Sequence, residues 1–164
     1  MPQLPMIPSW DGLHPMIIHF PIVLFLLPPL FVLFAAFTRT DRRFVLLCSA
    51  LVLMVLATTS MYIAFETGEA AGAIANRTAE IEANLEHHQK VADYSRSSFT
   101  MATVLFGLVI LMRRLFHLHT HELTGVLPIG SVAFYGLGLY WLINTAYAGE
   151  RLVHELGVRG VVAP

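Results

Sequence analysis

The sequence predicts an all-α integral membrane protein, a four-helix bundle formed by a single domain over residues 1–164. One observation is composition: 56% of the residues are hydrophobic and 13% are charged, and the mean hydropathy is +0.67. This is too apolar for a soluble globular domain. The other is that four segments approach the roughly 20 apolar residues with which a helix crosses the hydrocarbon core of a bilayer.

Composition also excludes several classes of protein. The formal net charge is −1, and the chain has no basic tract of the kind that binds nucleic acid. Cys48 is the only cysteine, so neither a disulfide framework nor a cysteine-based metal site is available. Residues 1–12 contain no lysine or arginine, which a signal peptide requires. We therefore expect the first apolar segment to stay in the protein as a membrane anchor.

The first two predicted spans cover residues 17–37 and 44–65. Pro21, Pro28 and Pro29 lie in the first of them. Because proline has no backbone N–H and bends a helix, these residues should kink the span and leave main-chain carbonyls without their usual donor. In lipid such carbonyls need another partner, which we expect neighbouring helices or polar side chains to supply.

The third and fourth predicted spans cover residues 92–112 and 123–148, and the fourth carries small residues that allow close helix contact, namely Gly130, Gly136 and Gly138. Upstream of the third span, apolar residues and His88 recur at alternating spacings of four and three. This pattern places His88 on the inward face of a helix and His87 off it. It also predicts that the third helix begins outside the membrane.

Arginine residues predict the orientation of the chain. Five of them flank helix ends on one side of the membrane: Arg39, Arg42, Arg43, Arg113 and Arg114. Basic residues next to helix ends favour the cytoplasmic side. We therefore expect a multi-pass protein of the bacterial inner membrane, with both termini and the connection over residues 66–91 on the periplasmic side.

With the four helices antiparallel, polar residues from all of them meet at the outer end of the bundle. Ionisable residues at membrane depth are costly and are commonly functional, so this convergence is the strongest indication of a site. We call these residues the outer cluster; they are His14, His19, Glu66, His88, Arg96, Arg151 and His154.

Three interpretations of the outer cluster are open. His19 and His88, on different helices near the membrane edge, are suited to be axial ligands of a b-type haem inside the bundle. Alternatively, Glu66 and two or three histidines bind a divalent metal such as zinc or copper, the candidates being His14, His19, His88 and His154. In the third interpretation no cofactor is bound, and a hydrogen-bonded polar plug fixes the helix packing.

The first two histidines differ in their local context. Because His14 precedes Pro15, the α conformation is disfavoured there, and we expect His14 to lie at the helix cap rather than in the helix. In a regular helix of 3.6 residues per turn, His14 and His19 would point about 140° apart. They are not expected to bind one ion side by side, and one of them is expected to cap the helix or to support the other.

Several motifs resemble those of a known bacterial family. They are His14-Pro15 through His19-Phe20-Pro21, Thr67-Gly68, a histidine opening the third helix (His87 or His88), and the closing residues Gly149, Leu152-Val153 and Gly157-Val158. Together they are similar to the small four-helix membrane proteins known as domain of unknown function 2231. Related domains often lie next to cytochrome and dehydrogenase modules or are fused to them, so the resemblance implies a redox function.

The chain departs from that family's pattern near its end. Members typically carry tyrosine after Leu-Val and histidine directly before the last Gly-Val, where this chain has His154 and Leu156. Either His154 replaces the missing imidazole, or the chain lacks one of the family's site residues.

We therefore expect an electron-transfer subunit that binds a b-type haem near the outer leaflet. His19 and His88 are the expected ligands, His14 belongs to the same site, and Arg96 or Arg151 pairs with the haem propionates, because guanidinium matches carboxylate. We expect a subunit of a larger respiratory or dehydrogenase complex rather than a stand-alone enzyme. No nucleophile–base arrangement is visible, so a hydrolase is not supported. The alternatives are a cofactor-free accessory or assembly subunit and a zinc- or copper-binding membrane protein.

Overall fold

The computed structural model describes residues 9–116 and 126–158, which are mainly helical, with no β-strand in either range. A 3₁₀ turn at Asp11–Leu13 leads into α1, and together with α1–α3 it forms the first segment, Asp11–Ala36. The α-helices of the two ranges are α1 (His14–Ile17), α2 (His19–Leu26), α3 (Pro28–Ala36), α4 (Thr40–Ala73), α5 (Ala79–Phe116) and α6 (Val126–His154).

Three parts of the described chain are long and apolar enough to cross a membrane: the first segment, residues Arg42–Ala73 of α4, and α5. The prediction of an all-helical membrane protein is thus confirmed by the helix content, helix length and hydropathy of the described residues. The helices extend beyond the predicted spans, since α4 has 34 residues and α5 has 38. Residues 123–125, where the fourth predicted span begins, lie outside the described ranges, and α6 covers the rest of that span.

The helices pack in chain order, the first segment against α4, α4 against α5, and α5 against α6. A core of aromatic and small apolar side chains joins them, and it includes Phe25, Ala57, Met61 and Phe99. The rings of Phe25 and Phe99 stack with their centroids 3.6 Å apart, and the ring of Tyr135 stands edge-on to both. This aromatic contact ties the first segment to α5 and α6.

A proline-freed carbonyl in the first segment has a partner on another helix. In a regular helix the N–H of residue 29 would donate to the carbonyl of Phe25, but Pro29 has no N–H. Instead, the hydroxyl of Tyr135 donates a hydrogen bond to the Phe25 carbonyl. The expectation that a neighbouring helix satisfies such a carbonyl is confirmed at this position.

Replacing Tyr135 with phenylalanine should destabilise the protein by about 1–3 kcal/mol, because the Phe25 carbonyl would lose its donor in an environment without water. The measurement is unfolding in detergent, with Tyr140→Phe as the control, because Tyr140 is exposed. In a Pro29→Ala background the new N–H at position 29 can reach the carbonyl. The same substitution should then cost about 1 kcal/mol less; an equal cost in both backgrounds would contradict this account.

The expectation that His14 lies outside the helix is wrong. His14 is the first residue of α1, and its backbone is helical, with φ −51° and ψ −49°. Pro15 is tolerated because it falls in the first helical turn, where its missing N–H would have no partner within the helix. The His14 side chain therefore leaves from a helical backbone, toward α4.

Candidate functional site

A cavity of about 430 Å³ lies between the first segment, α4, α5 and α6. Its walls are mainly apolar and include Ile22, Met61, Leu85 and Leu142. Two imidazoles, His14 from the first segment and His88 from α5, also line it. Pockets that hold small molecules or cofactors typically have volumes of about 300–1,000 Å³ and apolar walls with a few polar groups. The cavity has the size and composition of such a site.

The imidazole of His14 is held by the main chain of α4. Its Nδ1 lies 2.9 Å from the carbonyl oxygen of Ala64 and 3.2 Å from the hydroxyl oxygen of Thr67. Thr67 is buried, and its hydroxyl donates to the same Ala64 carbonyl at 2.9 Å. Since a carbonyl can only accept, Nδ1 carries the proton, and in the neutral ring Nε2 has a free lone pair.

His88 is held in the same way by α6. Its Nδ1 donates to the main-chain carbonyl of Thr145 at 3.1 Å, so its Nε2 also carries the lone pair of the neutral ring. His87, the adjacent residue, is exposed. The structure thus places His88, and not His87, on the buried side of α5, in agreement with the helical phase read from the sequence.

The two imidazoles share an arrangement that metal-binding histidines commonly show. Such residues usually donate one ring N–H to a carbonyl or carboxylate, which fixes the tautomer and the ring orientation and leaves the other nitrogen to bind the metal. In His14 and His88 both fixed nitrogens are Nδ1 and both acceptors are main-chain carbonyls. The chemistry of the pair therefore suits a ligand that accepts two imidazole donors from different helices.

The structure does not bring His19 and Glu66 to this cavity. Both side chains are exposed, and neither lies among the cavity's lining residues. His19 follows His14 by five residues, a net rotation of about 140° in a helix of 3.6 residues per turn, so it projects from another side of the first segment. Of the two histidines in the opening motif, His14 is the one that lines the cavity.

Both predicted propionate partners are already paired with carboxylates. Arg96 bonds Asp93 on its own helix, and its guanidinium lies 3.9 Å from the ring centroid of Phe65. Arg151 bonds Glu155 at 2.9 Å, and this hydrogen bond raises the pKa of the guanidinium above its ordinary value. Neither arginine lines the cavity.

The cavity is also lined by His154 and by three acidic residues, Asp11, Glu69 and Glu150. His154 is exposed and is therefore accessible from outside the bundle. Within the described residues, no group of three or more histidine, cysteine, aspartate and glutamate side chains is close enough to hold a metal ion. The predicted metal ligands thus reach the cavity in part, as His14, His88 and His154, without forming such a group.

Other polar residues of α4 have a different role. Thr58 bonds Thr103 at 3.0 Å, and Tyr62 lies 3.3 Å from Thr100, so both join α4 to α5. No sequence pattern predicts the carbonyls of Ala64 and Thr145 as parts of the site, because every residue has a carbonyl. The sequence indicates Thr67 only as part of the Thr67-Gly68 motif.

Comparison of the chain with protein-family models, with curated proteins and with solved structures finds no match. The resemblance drawn from the motifs therefore stays a prediction. Residues from several of those motifs do lie together in the structure, because His14, Gly68, His88 and Gly149 all line the one cavity.

Proposed function

We propose that the protein is an integral membrane electron-transfer subunit that binds a b-type haem in this cavity, and that His14 and His88 are the residues that would hold its iron. The observation that carries the proposal is the pair of imidazoles. They come from different helices, line the same cavity, and each uses Nδ1 to donate to a carbonyl. A bound haem would supply a one-electron carrier, and haem iron held by two protein ligands suits this number of donors.

The number of donors favours haem over a zinc or copper ion. Zinc in proteins usually has three or four protein ligands, whereas no such group occurs among the described residues. The apolar walls fit the macrocycle better than a bare ion, because hydrocarbon side chains offer an ion no ligand. In this proposal His14 and His88 bind the iron, the Ala64 and Thr145 carbonyls orient the rings, and the apolar side chains exclude water.

The proposal changes two roles from those expected from the sequence. His14 takes the place of His19 as the ligand from the first segment, because His14 lines the cavity and His19 is exposed. Arg96 and Arg151 are not assigned to the propionates, because Asp93 and Glu155 already neutralise them. His154 lines the cavity and is exposed, so it is the histidine best placed to meet a polar group of the ligand near the surface.

We further propose that the protein is a four-helix bundle in which α6 forms the fourth span, with the cavity near the outer leaflet. A helix of 38 residues such as α5 is about 57 Å long, at 1.5 Å per residue. Since the hydrocarbon core is about 30 Å thick, α5 extends well beyond it. The arginines at the opposite helix ends support an inner-membrane protein with both termini in the periplasm.

The proposed partners are other membrane or periplasmic redox subunits, as in a respiratory or dehydrogenase complex. Support comes from the proposed haem, which as a one-electron carrier needs an electron donor and an acceptor, and from the resemblance to domain of unknown function 2231. A cofactor-free accessory subunit is the alternative function.

The proposal is tested by the visible absorption spectrum of protein purified in mild detergent, first oxidised and then reduced with dithionite. We expect a Soret band and, after reduction, sharp α and β bands typical of a six-coordinate haem with two histidine ligands. A folded protein that shows no haem bands, and takes up no haem when haem is added, would contradict the proposal. Metal analysis of the same sample then separates a zinc or copper protein from a cofactor-free subunit.

A further inference from the structure

Each of the two cavity imidazoles lies against a glycine, and both glycines occupy the same position relative to the bonded carbonyl. His14 bonds the carbonyl of Ala64, and its ring lies against Gly68, four residues later on α4. His88 bonds the carbonyl of Thr145, and its ring lies against Gly149, four residues later on α6. The same local arrangement therefore occurs on two helices that face one cavity.

Helix geometry explains why a glycine is needed at that position. In an α-helix each Cα–Cβ bond tilts toward the N-terminus, so a side chain covers the turn that precedes it. The residue four positions after a carbonyl therefore shields that carbonyl from a side chain on a neighbouring helix. Without a Cβ at this position, an imidazole can approach the carbonyl and donate to it from the side.

At both glycines, a side chain could be added only if the neighbouring imidazole moved. A Cβ at Gly68 would lie 2.8 Å from Cε1 and 3.1 Å from Nδ1 of His14. A Cβ at Gly149 would lie 3.1 Å from Cε1 of His88 and 3.5 Å from its Nδ1. By contrast, a Cβ at Gly136 on α6 would meet nothing within 4 Å.

We propose that Gly68 and Gly149 are positioning residues for the two imidazoles. We call each carbonyl with its glycine a cradle: Ala64 with Gly68 on α4, and Thr145 with Gly149 on α6. A cradle holds its ring by Nδ1 and thereby keeps the Nε2 lone pair available to the cavity. This proposal rests on the proposed function only for the identity of the ligand that Nε2 binds. The tautomer and the position of each ring do not depend on it, because they follow from the protein's own contacts.

The contact distances at the two cradles predict a larger effect for an alanine at position 68 than for one at position 149. An alanine at position 68 has to displace the His14 ring, because 2.8 Å is shorter than any normal contact of a Cβ with a ring atom. An alanine at position 149 needs a smaller displacement of His88. Both variants should retain the fold, since alanine has a higher helix propensity than glycine.

The test compares Gly68→Ala, Gly149→Ala and the control Gly136→Ala in the full-length protein. In haem-free protein at alkaline pH, ¹⁵N NMR of the imidazoles distinguishes a protonated ring nitrogen from an unprotonated one, and His14→Gln and His88→Gln assign the signals. We expect Nδ1-protonated tautomers for both rings in the wild type and a mixture of tautomers for the affected ring in each cradle variant. Gly136→Ala should match the wild type.

Haem titration of the same proteins gives the second measurement. We expect Gly68→Ala to bind haem about tenfold or more weakly, as is common when the group that orients a metal ligand is perturbed. Gly149→Ala should show a smaller loss. Wild-type tautomers and haem affinity in both cradle variants would overturn the inference, and so would an equal loss in Gly136→Ala.

The two proposals fail in different ways. If the wild type binds no haem, the proposed function is wrong, while the tautomer measurement still decides whether the cradles exist. If the wild type binds haem but both cradle variants keep their tautomers, the proposed function stands and the cradle inference is wrong.

Discussion

His14→Gln and His88→Gln are each expected to abolish haem binding. Glutamine has a similar size and can still donate a hydrogen bond to the Ala64 or Thr145 carbonyl, but it has no aromatic nitrogen to bind iron. Each substitution therefore removes one of the two imidazoles that would hold the haem iron, while disturbing the packing little. Haem content per protein, measured from the pyridine haemochrome, and helicity, measured by circular dichroism, test the effect on binding and on folding separately.

The chain offers a matched control for each of these variants. His19→Gln changes an exposed histidine in the same opening motif, and His87→Gln changes the exposed neighbour of His88. Both controls should keep the haem content and spectrum of the wild type. If haem were lost in His19→Gln and kept in His14→Gln, the result would contradict the assignment of His14 as a ligand. It would favour the two ligands expected from the sequence, His19 and His88.

Phe99→Ala is expected to lower the free energy of unfolding by about 3 kcal/mol. Phe99 and Phe25 are both fully buried, their rings stack, and Tyr135 meets both. Removal of the ring leaves a cavity at the contact between the first segment, α5 and α6. The expected loss lies at the low end of the range for substitutions of buried phenylalanine by alanine. Because lipid is as apolar as a protein core, the stability that is lost comes mainly from packing contacts.

The measurement is denaturant-induced unfolding in detergent micelles, with Phe34→Ala as the control. Phe34 lies on the first segment, as Phe25 does, but it is 60% exposed, so its ring packs little against the protein. The control should change the stability by less than about 1 kcal/mol. Equal losses for the two variants would show that the aromatic contact does not join the helices as described.

Features that depend on local pattern could be predicted from the sequence. The helical spans follow from the length of the apolar runs, and three of them agree with the structure. The choice of His88 over His87 follows from helical periodicity, which sets the face on which a residue lies. The need for a partner at a proline-freed carbonyl follows from the covalent structure of Pro29, although the partner itself, Tyr135, could not be named.

Only the tertiary structure decided which histidine of the opening motif reaches the cavity. The sequence places His14 and His19 on different sides of one segment, but the side that meets α4 depends on how that prolyl segment packs. The acceptors of the two imidazoles are also invisible in the sequence, because Ala64 and Thr145 contribute main-chain carbonyls that any residue possesses. Periodicity therefore determined the helices and their inward faces, whereas helix packing determined which donors meet and what holds them.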